Sequence, residues 1–237
     1  MSKLQSNIDF VHRYLSGKNG DTLLLLHGTG GDESDLLPLG AKLAPRAGLL
    51  GVRGKVLENG MPRFFKRLAM GIFDQEDLKF RTNELADFVT VAAETYGFDR
   101  KKVTAFGYSN GANIAASLLF RRPEILANAI LLRPMVPFVP DGLPQFADKG
   151  VFIAGGRQDP IVPPEQTENL AELLRKAGAD VTVAWHSGGH ELTAPEIERA
   201  KQWFAERKLA RENDTNAQTG ESHSGLDSNE YNTVTRY

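Results

Sequence analysis

The sequence predicts an α/β fold in which helices cover both faces of a mostly parallel central sheet. Three observations predict this class. Short apolar runs alternate with segments of helical periodicity along the chain, and glycine-rich loops follow several of these runs. The run at 22–26 is almost entirely leucine, as in a strand covered on both faces. Because open α/β sheets place their sites beyond the carboxyl ends of the strands, we expect the functional residues in those loops.

Length and composition narrow the possibilities further. The 237 residues fit one domain, which we place at 1–209, followed by a polar tail at 210–237 that we expect to be disordered. A formal net charge of -2 argues against a nucleic-acid partner. The chain has no cysteine, which excludes disulfides, thiolate catalysis and cysteine metal sites. No apolar run has the length of a signal peptide or a membrane span, so we expect a cytoplasmic protein without membrane insertion.

The first part of the chain alternates strands and helices. Residues 8–15 alternate apolar and polar side chains, which predicts an edge strand. A helix is expected over 34–43 and a strand over 49–52. The segment 53–73 has no clean period and is interpreted as a loop across the top of the domain. Asp74 and Gly97 then suit the beginning and the end of a long helix.

The second part repeats the pattern to the end of the domain. We predict strands at 102–106, 127–132, 151–154 and 181–185. Helices follow the first, third and fourth of these strands, and a proline-rich loop follows the second. The last helix is expected to begin with a capping box at 193–196.

One turn between a strand and a helix carries a serine flanked by glycines. Gly107-Tyr108-Ser109-Asn110-Gly111 has the G-x-S-x-G pattern of a nucleophile elbow. The glycines are needed because a side chain at either position would collide with the neighbouring strand or helix. The alternative is an ordinary turn in which Ser109 merely caps the helix. The strand before it and the helix after it favour a catalytic serine.

A serine nucleophile needs a base, and the base needs an acid that orients it. His190, in a glycine-rich loop after the last predicted strand, is the favoured base, and His186 is the alternative. Asp159 is the favoured acid because it follows a buried strand and lies between Ser109 and His190 in chain order. The other candidates for the acid are Asp141 and Asp148 in the proline-rich connection.

Acyl transfer also needs donors for the oxyanion that forms in the transition state. The backbone N–H of Asn110, directly after the serine, is one candidate, and that of Thr29 in the loop 27–31 is the other. A glycine-rich loop after a strand can also bind phosphate. This loop lacks the Gly-Lys-Ser/Thr ending and the GxGxxG spacing of nucleotide-binding loops, which argues against nucleotide binding. His27 is interpreted as a structural residue that orders the loop.

The substrate pocket is the least determined part of the site. Five large apolar side chains fit a pocket wall or the core equally well; they are Met61, Phe64, Phe65, Met135 and Phe138. Arg63 suits either an acidic group of a substrate or a solvated surface charge, and the second is favoured.

These motifs together resemble the phospholipase/carboxylesterase family of the α/β-hydrolase fold. The likeness covers about residues 20–208 and is carried by His27–Gly31, the elbow at 107–111, Gly156 with Asp159-Pro160, and Gly189-His190-Glu191. The segment 52–65 is similar to bacterial carboxylesterases associated with resistance to methylhydroquinone. Tyr108 and Asn110 depart from the residues usual in the family, which alters the pocket wall without removing a backbone donor.

The resemblance implies an enzyme that hydrolyses carboxylic esters with Ser109, His190 and Asp159 as its triad. Lysophospholipase and thioesterase activities belong to the same class, the substrate is a small ester, and neither metal nor organic cofactor is needed. Whether the protein forms a homodimer is left open. The alternatives are a lactone or dienelactone hydrolase, disfavoured because its known relatives use cysteine, and a catalytically silent binding module, disfavoured because all three residues are present.

Overall fold

The computed structural model describes residues 10–146 and 148–219, with side chains up to Arg211. A seven-stranded sheet forms its centre, and all neighbouring strands run parallel except β1, which is antiparallel to β3. Across the sheet the order is β1 (His12–Leu15), β3 (Gly48–Val52), β2 (Thr22–Leu26), β8 (Val103–Tyr108), β9 (Asn128–Leu132), β10 (Gly150–Gly156) and β11 (Asp180–His186). The predicted fold class is confirmed.

The register of this sheet brings the functional loops to one edge. Leu26 is paired with Gly107, so the loop after β2 lies beside the elbow after β8. Tyr108 is paired with Leu132, and Gly156 is paired with His186. The residues that follow β2, β8, β9, β10 and β11 therefore all emerge at the carboxyl edge, where the strand order predicts a site.

Five helices accompany the sheet: α1 (Leu37–Leu43), α2 (Gln75–Tyr96), α3 (Asn110–Arg121), α4 (Pro164–Lys176) and α5 (Ala194–Thr219). Successive strand residues alternate between two cores, since Leu24 packs with residues of α2, α3 and α4, and Leu25 packs with residues of α1 and the start of α5. Helices thus cover both faces, which explains why the inner strands β2, β3, β9 and β10 are buried along their whole length.

Helix α2 has the predicted caps, whereas α1 is shorter than predicted. The Asp74 carboxylate accepts a hydrogen bond from the Asp77 N–H, and Gly97 ends α2 in the left-handed conformation with φ 72°. Helix α1 begins at Leu37 rather than at residue 34. Pro38 in its first turn accounts for the difference, because proline fits the start of a helix and disfavours a turn before it.

The segment 53–73 is not the loop that the sequence suggested. It forms two antiparallel hairpins, one of β4 (Val56–Glu58) with β5 (Met61–Arg63) and one of β6 (Arg67–Ala69) with β7 (Ile72–Phe73). These strands have two or three residues each, which is too short for the alternation of apolar and polar residues that identifies a strand in a sequence. We call this segment the double hairpin.

The predicted tail overlaps the last helix. A compact unit ends at Phe204, and a second unit begins at Ala205. Helix α5 is described as far as Thr219, and the disorder expected for the tail stays a prediction. Alanine, glutamate, arginine and lysine, which favour helices, are frequent after Phe204 and explain the extension. Residues 220–237 lie outside the described residues, and the boundary at 209 remains a prediction.

No helix within residues 10–146 and 148–219 has both the length and the apolar character to cross a bilayer. The cytoplasmic location remains a prediction.

Candidate active site

Ser109 lies on the sharp turn between β8 and α3. Its backbone has φ 52° and ψ -111°, a conformation that non-glycine residues seldom adopt and that costs about 1–3 kcal/mol. The flanking glycines permit the turn, as predicted. A Cβ atom at Gly107 would lie 2.6 Å from the carbonyl oxygen of Gly111, and one at Gly111 would lie 2.0 Å from that of Leu26. The turn therefore has no space for side chains at these two positions.

A continuous chain of hydrogen bonds joins the three predicted residues. His190 Nε2 lies 2.9 Å from Ser109 Oγ, and His190 Nδ1 lies 2.8 Å from Asp159 Oδ2. The Asp159 side chain is fully buried, whereas the His190 ring is 17% exposed. Because the carboxylate can only accept, Nδ1 carries the proton that it donates to Asp159. Nε2 is then left to accept the hydroxyl proton of Ser109.

Asp159 is fixed by its own turn. Its second oxygen, Oδ1, accepts hydrogen bonds from the N–H groups of Ile161 and Val162 at 2.8 and 2.9 Å. These two hydrogen bonds to Oδ1 leave Oδ2 directed at His190. The other acids that the sequence offered, Asp141 and Asp148, are exposed on the surface of the connection before β10.

His186, the alternative base, is engaged elsewhere. Its Nδ1 accepts a hydrogen bond from the Gly188 N–H at 3.0 Å, and its Nε2 lies 2.6 Å from Arg133 Nη2. The structure therefore brings His190, and not His186, to Ser109.

The two predicted oxyanion donors border the same cavity as Ser109. Asn110 is the first residue of α3, where a backbone N–H has no partner inside the helix and the helix dipole favours negative charge. Its side-chain oxygen accepts from the Phe64 N–H at 2.7 Å. The Gly30 N–H donates to the Pro62 carbonyl at 2.9 Å, which anchors the loop of Thr29 to the double hairpin. Both donors are thus held by residues of that segment.

The cavity has a volume of about 290 Å³ and opens to solvent beside Ser109. Besides Ser109, His190, Thr29 and Asn110, it is lined by Arg63, Arg67, Met70, Gly71, Phe73, Tyr108, Asn113, Met135, Ile161 and Val162. Residues of the double hairpin form much of one wall. A volume of this size suits a small ester rather than a macromolecule.

Of the five apolar residues suggested for the pocket, the structure places one on the cavity wall. Met135 lines the cavity, whereas Phe64 and Phe65 are buried in the core at 2% and 0% exposure. Phe138 packs against Phe120, and Met61 is exposed near Gly30 without lining the cavity. Phe64 and Phe65 point inward and pack the double hairpin onto the domain. Their direction depends on the geometry of the hairpins, which the sequence alone does not reveal.

The cavity wall carries positive charge that the sequence analysis underestimated. Arg63, expected to be a solvated charge, has only 5% of its side chain exposed. Its Nη1 donates to Thr29 Oγ1 at 2.7 Å, and its Nε lies 3.2 Å from Glu58 Oε2. Burial lowers the pKa of Arg63 and the neighbouring Arg67 charge acts in the same direction, while Glu58 opposes them. An arginine remains protonated at neutral pH nonetheless.

Arg133 is a residue of the candidate site that the sequence analysis missed. It follows β9, has φ 58°, and its side chain is fully buried. Its guanidinium donates to the carbonyl oxygens of Gly189 and Glu191, which flank His190, and to both carboxylate oxygens of Glu196. The carbonyl of His190 itself accepts from the Tyr108 hydroxyl at 2.9 Å. Three successive carbonyls of the His190 loop are thus held by side chains.

His27 orders the loop after β2, as predicted. Its Nδ1 lies 2.6 Å from the Gly28 carbonyl, and its Nε2 accepts from the Gly54 N–H at 3.0 Å. Burial lowers the pKa of His27, so the ring is neutral in the folded protein at pH 7. No cluster of three histidine and carboxylate side chains able to hold a metal ion occurs within the described part of the chain.

This fold, with a strained serine that is hydrogen-bonded to histidine and aspartate at the carboxyl edge of the sheet, defines an α/β-hydrolase. The model of the dienelactone hydrolase family matches residues 59–219. The putative hydrolase MhqD of Bacillus subtilis (strain 168) is 55% identical over 195 residues, which are 82% of this chain and 98% of that protein. The chain therefore belongs to the dienelactone hydrolase family.

Two solved structures are similar over most of the chain. The crystal structure of the Bacillus cereus carboxylesterase has a TM-score of 0.83 and 52% identity, and the match covers 87% of this chain and 100% of that one. YahD, solved with malic acid, has a TM-score of 0.80 and 34% identity over 84% of this chain and 99% of its own. These findings confirm the resemblance to carboxylesterases close to MhqD, and they identify the chain as a hydrolase.

Proposed function

We propose that this hydrolase cleaves carboxylic esters through an acyl-enzyme formed on Ser109. The observation that carries the proposal is the unbroken hydrogen-bond chain from Ser109 through His190 to Asp159, at 2.9 and 2.8 Å, on the wall of a cavity. The carboxylesterase of Bacillus cereus supports the substrate class. Malic acid, with which YahD was solved, is a carboxylic acid, as is one product of ester hydrolysis.

The proposed reaction has two steps. Ser109 Oγ attacks the acyl carbon while its proton passes to His190 Nε2, and the N–H groups of Thr29 and Asn110 stabilise the oxyanion. The C–O bond to the alcohol then breaks, and the alcohol leaves with the proton from His190. Water, deprotonated by His190, attacks the acyl-enzyme; the acid is released and Ser109 recovers its proton. Asp159 keeps the imidazole oriented and stabilises its charged form.

The decisive experiment compares the wild type with Ser109→Ala on p-nitrophenyl esters with acyl chains of two to twelve carbons. We expect turnover by the wild type and a loss of at least a thousandfold in the variant. A fluorophosphonate probe should label Ser109 covalently in the wild type only. Unchanged turnover in Ser109→Ala would overturn the proposal.

Lactone hydrolysis is the second candidate, and the match to the dienelactone hydrolase family favours it. A lactone is an internal ester, so the same residues would act on it, and the chain offers serine rather than cysteine as the nucleophile. A catalytically silent binding module is the third possibility. Its serine would not react with the fluorophosphonate probe, whereas the serine of either hydrolase would.

A further inference from the structure

Asn113 is a buried carboxamide on the cavity wall that the proposed reaction does not use. It lies one turn after Ser109 in α3, and its backbone N–H donates to the Ser109 carbonyl at 3.0 Å. Only 6% of the surface of Asn113 is exposed. Residues one turn apart are neighbours on the surface of a helix, so Asn113 and Ser109 border the same part of the cavity.

The oxygen of this carboxamide is engaged with the backbone, whereas its nitrogen is not. Oδ1 of Asn113 accepts from the Met135 N–H at 2.7 Å, which fixes the orientation of the group. The NH2 group carries two donors, and neither meets a protein acceptor in the part of the chain that the structure describes. Because a buried donor without an acceptor is unfavourable, this group suits a ligand that accepts a hydrogen bond.

The loop that Asn113 contacts is also held by two glutamines. Gln166 Oε1 accepts from the Val136 N–H at 3.1 Å. Gln75 Nε2 donates to the Pro137 carbonyl at 3.1 Å. Three successive residues of the loop are thus held by carboxamides from three helices. Asn113 differs from the two glutamines because it lines the cavity as well.

The nature of this donor indicates the kind of acceptor that it fits. A carboxamide N–H carries no charge, and the neighbouring Met135 side chain on the cavity wall is apolar. A Cβ atom at Gly71 would lie 3.4 Å from the Met135 methyl group, so little space separates these two walls. Burying a charged group opposite a neutral donor costs more than burying a neutral one. The arrangement therefore favours an uncharged oxygen.

We infer that Asn113 is a specificity-determining residue whose carboxamide donates to an uncharged oxygen of the ester, such as a ketone or ether oxygen, roughly 6 Å from the reacting hydroxyl. This inference rests on the proposed ester hydrolysis and names a feature of its substrates. A site with such a donor rejects the analogue that lacks the oxygen, because the donor is then left unpaired. The competing explanation is that Asn113 only fastens Met135, which would affect every ester equally.

Two pairs of esters with equal chain lengths test for this oxygen. p-Nitrophenyl 5-oxohexanoate and hexanoate differ by a ketone in the acyl group, and 4-oxopentyl butyrate and pentyl butyrate differ by a ketone in the alcohol. After subtraction of the rate without enzyme, we expect the wild-type kcat/KM to be about fivefold higher for the ketone in at least one pair, as one neutral hydrogen bond provides. Added salt should leave this ratio unchanged, because neither partner is charged.

Two variants remove the donor in different ways. Asn113→Asp keeps an oxygen that accepts from Met135 and replaces the donor with an acceptor, so the ratio of ketone to parent ester should fall to one or below, mainly through KM. Asn113→Leu removes both functions and should also bring the ratio to one. Gln166→Glu makes the same exchange at the next contact of the loop, away from the cavity, and is the matched control that should keep the wild-type ratio.

Each result supports or overturns the inference. A ketone preference that disappears in Asn113→Asp and persists in Gln166→Glu supports it. Equal turnover within both pairs by the wild type overturns it and leaves ester hydrolysis intact. A preference that persists in the Asn113 variants, or that disappears in Gln166→Glu as well, also overturns it. If no ester is cleaved, the proposed function fails, and the inference fails with it.

Discussion

The guanidinium of Arg133 and the carboxylate of Glu196 form a buried ion pair, with Nη2 2.8 Å from Oε2. The pair joins the end of β9 to the start of α5, and the loop of His190 passes over it. The sequence analysis assigned Glu196 to a capping box, but its carboxylate accepts from Arg133 instead. The pair therefore links the folding of the last helix to the position of the histidine.

Replacing Arg133 with lysine should impair catalysis more than binding. Lysine keeps the charge but lacks the fork that reaches the carbonyls of Gly189 and Glu191. We expect kcat to fall about ten- to a hundredfold with little change in KM, because displacing His190 misaligns the proton transfer. Steady-state kinetics on p-nitrophenyl butyrate measure both constants. A lower Tm with an unchanged kcat would show that Arg133 only stabilises the fold.

Removing the Tyr108 hydroxyl should have a milder effect on the same loop. Burial raises the pKa of Tyr108, so the phenol remains a donor to the His190 carbonyl at neutral pH. Tyr108→Phe should cost about 1 kcal/mol of stability through the lost hydrogen bond, with a severalfold decrease in kcat. Urea denaturation and the p-nitrophenyl assay check the two parts. A loss as large as that of Ser109→Ala would mean that the hydroxyl takes part in the chemistry.

The elbow should not tolerate a methyl group at Gly111. The new Cβ would lie 2.0 Å from the backbone oxygen of Leu26, which cannot move without distorting β2. We expect Gly111→Ala to lose at least about 3 kcal/mol of stability or to fail to fold. Gly142→Ala is the control, because a Cβ there meets no atom within 4 Å. Urea denaturation compares the two, and equal stability would contradict the steric explanation of the motif.

His27 should make stability depend on pH on the acidic side. Its pKa is lowered in the folded protein, mainly by burial, so the unfolded chain binds a proton below about pH 6.5 that the folded chain does not. This contribution to stability is complete above that pH and is lost as the pH falls. The difference in unfolding free energy between wild type and His27→Gln should therefore narrow from pH 7.5 to pH 5.5. A constant difference would show that His27 does not titrate this way.

Local patterns predicted the hydrogen-bonded serine, histidine and aspartate of the candidate site but not the surfaces around them. Ser109, Asp159 and His190 each follow a strand and obey a fixed chain order, so sequence alone could point to them. Arg133 has no such pattern, since its role depends on carbonyls of a loop more than fifty residues away. Phe64 and Phe65 lie between β5 and β6, outside any strand, and no local period there distinguishes an inward from an outward side chain.

The double hairpin lies between β3 and α2, outside the seven-stranded sheet. It supplies both arginines of the cavity wall, whereas the serine, aspartate and histidine come from loops after sheet strands. Substitutions at the cavity-lining positions within residues 53–73 would therefore change the cavity wall while Ser109, His190 and Asp159 stay in place. In laboratory evolution, a library that targets selectivity would vary the positions of this stretch that line the cavity, such as Arg67 and Met70. It would leave Pro62 and Phe64 unchanged, because they anchor the proposed oxyanion donors.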